Sequence, residues 1–278
     1  MKKLFYIALL GLLCSCGKSE NDRIALHLQG DVRTVHQITY KPMYVARVVV
    51  PDSAIVFSNQ VTTFDSSGNC LSVVHYDKND VMSEKTLYTY SEDGVKLSER
   101  KMNRNEALII KSDFIYDNEK VLLSEVRSDA KNKPYDKVVF SYNEEGVLEN
   151  QTRLNNKEKQ VNKICFFYNE KEQIKSDELY DAQNQLVYRR VYEYNTLGQQ
   201  KMCKTYDAQK QLMTRNAIQV DAHGNRTSSI IYNAADDLTD RYTYKYKYDK
   251  QGNWIEQVAS SNGLPISISI RKIGYFKE

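Results

Sequence analysis

Tyr242, Tyr244, Tyr246 and Tyr248 alternate with Arg241, Thr243, Lys245 and Lys247. In an extended strand that spacing puts all four phenol rings on one face and the cations on the other. Such a strip, about 20 Å long at ~3.4 Å per residue, could stack sugar rings or a peptide strand, because a tyrosine offers a flat apolar body and a polar tip. The same spacing suits a row packed on neighbouring strands. The residues leave both readings open, a ligand platform and a structural row.

Other groups with chemical potential are isolated. Cys70, Cys165 and Cys203 are odd in number, and Cys165 and Cys203 fall three strands apart, about 14 Å at ~4.8 Å per strand. A disulfide needs Cα atoms within ~7 Å, so these read as small buried hydrophobes. His27, His36, His75 and His223 are scattered, with no spacing that would gather a metal. Asp236, Asp237 and Asp240 cluster at one turn without the spacing or glycine of a calcium loop. No catalytic residue, metal site or cofactor motif emerges, and a non-enzymatic protein is expected.

The elements that would position the tyrosine row come from a repeat. Every 26 residues an aromatic or branched residue recurs: Phe64, Tyr90, Tyr116, Tyr142, Tyr168, Tyr194 and Val220. Asp, Asn or Ser follows each, and Gly68, Gly94, Gly146, Gly198 and Gly224 lie four places on. A second series twelve residues later begins at Tyr76 and Asp77 and has the same turn opener. Asp or Asn caps its own backbone and opens a turn, and glycine supplies the positive φ that the turn needs. The stretches between are strands by length and composition.

Seven units give fourteen strands. Three or four more are expected between 24 and 60, at Val32–Tyr40, Tyr44–Val50 and Ala54–Phe57, and Ser261-Asn262-Gly263-Leu264 makes a terminal hairpin. The expected fold is all-β, a long antiparallel meander of 26-residue hairpins over 61–278. Because sheet twist accumulates, it should form a strongly curled single sheet or spiral.

The amino terminus reads as an export signal. Lys2-Lys3 precedes ten apolar residues, Leu4 to Leu13, too few to span a bilayer. Leu13-Cys14-Ser15-Cys16 resembles the bacterial lipobox, which implies a signal peptide over 1–15, acylation at Cys16 and a flexible tether over 16–23. Gly17 in place of aspartate favours the outer membrane, on its periplasmic face or at the cell surface. The formal charge of +3 falls to +1 without Lys2 and Lys3. That is too little for nucleic-acid binding.

Phe64-Asp65-Ser66-Ser67-Gly68-Asn69, Val220-Asp221-Ala222-His223-Gly224-Asn225 and Tyr248-Asp249-Lys250-Gln251-Gly252-Asn253-Trp254 resemble the YD repeat of the Rhs (rearrangement hotspot) family. The terminal block through Arg271-Lys272-Ile273-Gly274-Tyr275 is similar to that of small repeat lipoproteins of Gram-negative gut bacteria. The resemblance implies a β-sheet shell, which large members use to encase a toxin. The chain lacks the Asp-Pro dipeptide of the autoproteolytic motif. The expected function is a lipid-anchored envelope protein whose repeat sheet is a binding or scaffolding surface for a glycan or protein. The alternative is a shell or accessory of a contact-toxin or secretion system.

Overall fold

The computed structural model describes residues 21–277. Among them the chain forms one short helix, α1 (Asp22–Ala25), and eighteen strands. β1 (Val32–Val45) and β2 (Val48–Phe64) make a long hairpin. The repeat supplies β3 (Cys70–Tyr76), β4 (Met82–Tyr90), β5 (Lys96–Asn103), β6 (Leu108–Tyr116), β7 (Leu122–Asp129), β8 (Pro134–Tyr142), β9 (Leu148–Asn155) and β10 (Gln160–Tyr168). It continues through β11 (Ile174–Tyr180), β12 (Leu186–Tyr194), β13 (Gln200–Asp207), β14 (Leu212–Val220), β15 (Arg226–Asn233), β16 (Leu238–Tyr248), β17 (Trp254–Ser261) and β18 (Leu264–Tyr275).

Each strand pairs antiparallel with the next, and β1 also pairs with β18, so the sheet closes into a barrel. This corrects the expected open curl or spiral. Val35 sits between Thr62 of β2 and Ile273 of β18, and Gln37 between Gln60 and Arg271. Closure satisfies both edges that an open sheet would leave unpaired. Eighteen is even, so the last strand returns antiparallel to the first.

Fifteen connections share one geometry. In the loop after β6, Asp117 N–H donates to the Val121 carbonyl, Lys120 N–H donates to the Asp117 carbonyl, and the Asp117 carboxylate accepts from Glu119 and Val121 N–H. The fourth loop residue has positive φ throughout, whether Gly146 at 78° or Lys120 at 66° and Glu172 at 59°. Glycine is therefore favoured there and not required. The two remaining turns are two-residue, at Ala46-Arg47 and Asn262-Gly263, with positive φ at each central position.

The region between 24 and 60 differs from expectation. Its three or four short strands are two long ones, β2 running on to Phe64. Pro42 pairs with Pro51, beyond the last β1–β18 pair at Tyr40–Ile268. The hairpin overhangs the rim there, where both its edges are free and proline removes no ladder bond.

Register assigns the faces. Val35, Thr62, Val73, Thr86 and Lys101 are successive cross-strand partners. Val32, Val35, Phe64 and Cys70 pack around Leu28 of the amino-terminal segment, with Val73, Tyr88, Ile273 and Tyr275 at the edge. This is the lumen side, and residues 21–31 fold over that mouth. Asn21 and Arg23, read as the end of the tether, bond the carbonyls of Ser67 and Ser66.

Charges occur mid-strand on both faces: Arg127, Arg153, Asp177 and Arg190 inward, Arg100, Lys111, Lys137 and Lys163 outward. A lipid-facing Lys or Arg costs ~2–4 kcal/mol at the bilayer midplane. Neither face matches the apolar band of an embedded barrel. No helix among the described residues is long and apolar enough to cross a membrane.

Candidate functional site: the aromatic lumen

The repeat builds an aromatic collar at the mouth beside residues 21–31. Tyr90, Tyr116, Tyr142, Tyr168 and Tyr194 end even-numbered strands, and each hydroxyl donates to a carbonyl twenty residues back, at Cys70, Lys96, Leu122, Leu148 and Ile174, over 2.8–2.9 Å. Those carbonyls begin the preceding odd strands, beside the register shifts that interrupt the ladder. The tyrosines supply a partner where the backbone has lost its regular one. Two residues further in stand Tyr88, Phe114, Phe140, Phe166 and Tyr192.

The predicted tyrosine row is the last panel of this wall. Tyr242, Tyr244, Tyr246 and Tyr248 face the lumen, opposite Ser261, Ala259 and Gln257 of β17 for the first three. All four are half-buried, neither core nor open. Two extra residues precede this strand end, so Tyr246, not Tyr248, fills the collar position. Its hydroxyl donates to the Arg226 carbonyl at 2.8 Å and accepts from Gln257 Nε2 at 3.1 Å.

Tyr248 reaches one step further. Its hydroxyl donates to the Asp221 carboxylate and accepts from Asn225 Nδ2, and its ring stacks on His223 at 4.2 Å. Burial and the Asp221 bond push its phenol up to about 12, so it stays a neutral donor. Tyr275 repeats the arrangement with Asp249 and Asn253. Tyr244 has no hydrogen-bond partner among the described residues.

Trp254, the chain's one tryptophan, lies between Tyr246 at 6.0 Å and the Arg271 guanidinium at 3.4 Å. Arg271 Nε donates to Gln37 Oε1 at 2.8 Å. Sequence reasoning missed Gln37, Gln257 and Arg271 as parts of one site. They come from β1, β17 and β18, and only closure places β1 beside β18.

Elsewhere the lumen wall holds closed ion networks. Arg127 and Arg153 both donate to Asp136, itself 4% exposed. Arg190 donates through Nε and Nη2 to Asp177, which also accepts from Tyr192. Lys96 and the Tyr90 hydroxyl meet Asp22. Glu99 is the strained acid: burial and the neighbouring Glu125 push its carboxyl above the usual range, against the opposing pull of Lys96.

The remaining sequence candidates do not converge. Cys70, Cys165 and Cys203 are free; Cys203 faces the lumen opposite Tyr192, while Cys165 takes the outward face beside Glu178. Burial raises all three thiols, so they are poor nucleophiles. His36 bonds Asn59, His27 lies against Gly224, and His75 pairs across the ladder with Gln60 and Glu84. His223 is an exposed turn residue whose ring stacks on Tyr248. Asp236 pairs with Arg215, Asp237 accepts from Asn233, and Asp240 opposes Ile231. No group of three metal-ligating side chains occurs among the described residues. Cys16 and the signal segment lie outside them.

No family model and no curated protein sequence matches the chain. Among solved structures, a porin-like protein from Bacteroides uniformis aligns with 88% of this chain and 98% of its own at 12% identity and a TM-score of 0.46. A porin-like protein from Bacteroides vulgatus aligns with 89% and 99% at 8% identity and a TM-score of 0.33. The TcdB2-TccC3-TEV structure matches 80% of this chain over 16% of its own, at 14% identity and a TM-score of 0.24. These likenesses carry no argument about function, and the closure of the barrel rests on its own strand pairing.

Proposed function

We propose that the chain is a non-catalytic envelope protein that binds a saccharide within its lumen, on Tyr242, Tyr244, Tyr246 and Tyr248. The observation that carries this is the half-burial of the row on the lumen wall. The Tyr246 and Tyr248 rings are held by hydrogen bonds to the Arg226 carbonyl and the Asp221 carboxylate, and all four rings of this lumen-facing row keep part of their surface exposed. Rigid aromatics with bound hydroxyls lose little entropy when a flat, apolar sugar face covers them. Acylation at Cys16 would hold this barrel at the outer membrane as a domain on a tether.

Lumen width argues against a toxin shell. A circular barrel of eighteen strands ~4.8 Å apart and tilted ~40° has a backbone radius of about 18 Å, and side chains leave a bore of roughly 24 Å. A 100-residue domain has a radius of gyration of about 13 Å and would not fit.

The test is a glycan array probed with the full-length chain, followed by calorimetry on the hits with Tyr244→Ala. Tyr244 has no hydrogen bond to lose, so its truncation should weaken binding at least fivefold while leaving the melting temperature nearly unchanged. Failure of every glycan to bind would overturn the proposal.

A further inference from the structure

Among the described lumen cations that are not exposed, Arg271 differs from the rest; Arg226, which also meets no carboxylate, is exposed at the rim. Arg23, Lys96, Lys101, Arg127, Arg153 and Arg190 each contact a carboxylate. Arg271 contacts none. Its Nε is held by Gln37 and its face by Trp254, which fixes the plane of the guanidinium. The two terminal nitrogens have no hydrogen-bond partner, and they are not sealed in the wall, since the only buried unpaired side-chain nitrogen or oxygen among the described residues is Arg189 Nε. They open on the lumen beside the tyrosine row. Burial lowers the guanidinium to about 10, so it is still a cation at neutral pH, and one poorly compensated by its surroundings.

We infer that Arg271 is the recognition point for the carboxylate of an acidic saccharide, a uronate-type sugar whose ring lies on Tyr246. This rests on the saccharide reading above and names the class of sugar. A planar guanidinium fixed by two neighbours presents its remaining fork of N–H groups in the geometry that a carboxylate accepts with both oxygens. Trp254 carries the guanidinium over its ring at 3.4 Å and is 6.0 Å from Tyr246, so the charge and the tyrosine surface lie within the span of one or two sugar rings. Gln37 is a positioning residue: it orients Nε and leaves the terminal nitrogens free.

The test uses the full-length chain and two matched probes, trigalacturonic acid and its fully methyl-esterified form, followed by the fluorescence of the one tryptophan. The free acid should bind at least tenfold more tightly than the ester, with an advantage that shrinks as salt rises. Arg271→Gln should abolish that preference. Gln37→Leu, which keeps the charge, should reduce the preference several-fold, and serves if Arg271→Gln does not fold. Equal affinity for acid and ester would overturn the inference and leave the saccharide reading intact. Binding of neither probe would overturn the inference, and capture of an acidic peptide of equal charge in their place would overturn the saccharide reading as well.

Discussion

Asp177 shows what a single lumen residue risks. It is 2% exposed and receives two bonds from Arg190 and one from the Tyr192 hydroxyl. Removing the cation strands a buried charge, which costs ~3–5 kcal/mol. Arg190→Leu should therefore lose about that much in urea unfolding, while the double change Asp177→Leu with Arg190→Leu should recover most of it. Glu99 gives the opposite sign. Its folded-state carboxyl titrates above its unfolded one, so the folded chain binds more protons in that window and stability falls as pH rises through it. Glu99→Gln should raise the melting temperature at neutral pH, and the gain should vanish in acid, below the usual glutamate range. An equal gain at both pH values would contradict burial as the cause.

At the scale of the element, the hairpin unit is a repeated solution with local exceptions. Glu172 holds positive φ where Gly146 and Gly198 hold it without a β-carbon. An L side chain in that region costs ~1–2 kcal/mol, so Glu172→Gly should stabilise the fold by about 1 kcal/mol and Gly146→Ala should destabilise it similarly. The collar hydroxyl is worth about as much: Tyr168→Phe removes its bond to the Leu148 carbonyl and should cost ~1 kcal/mol in urea unfolding. The turns and the period were legible because both are local. Asp117 caps residues two and four places on, and the reader of the sequence sees all of them together. The β1–β2 hairpin was not legible as two strands. Pro42, Pro51 and Asp52 look like breaks, yet the ribbon overhangs the rim, and proline costs nothing at a free edge.

Closure sets the rule for the whole molecule: strands can be lost only in pairs. Deleting 195–220 removes β13 and β14, joins Tyr194 to the Asp221 turn, and leaves sixteen strands with β18 still antiparallel to β1. Deleting only 195–206 leaves seventeen, and the last strand then meets β1 running the wrong way. The first variant should keep a cooperative thermal melt and the second should lose it; equal damage would refute paired closure. The sequence by itself determined the 26-residue unit, the antiparallel hairpins, the capped turns and the common face of Tyr242 to Tyr248. Each depends on residues within about thirty positions of one another. Tertiary structure alone decided that the sheet closes, that the tyrosine face is the inside, and that Gln37 meets Arg271. The strand that seals the barrel lies more than two hundred residues from its partner and outside the repeat. Period and alternation are the same in an open curl and a closed ring. What separates the two is the accumulated twist and the pairing of two distant edges, quantities that belong to the assembled sheet and to no segment of it.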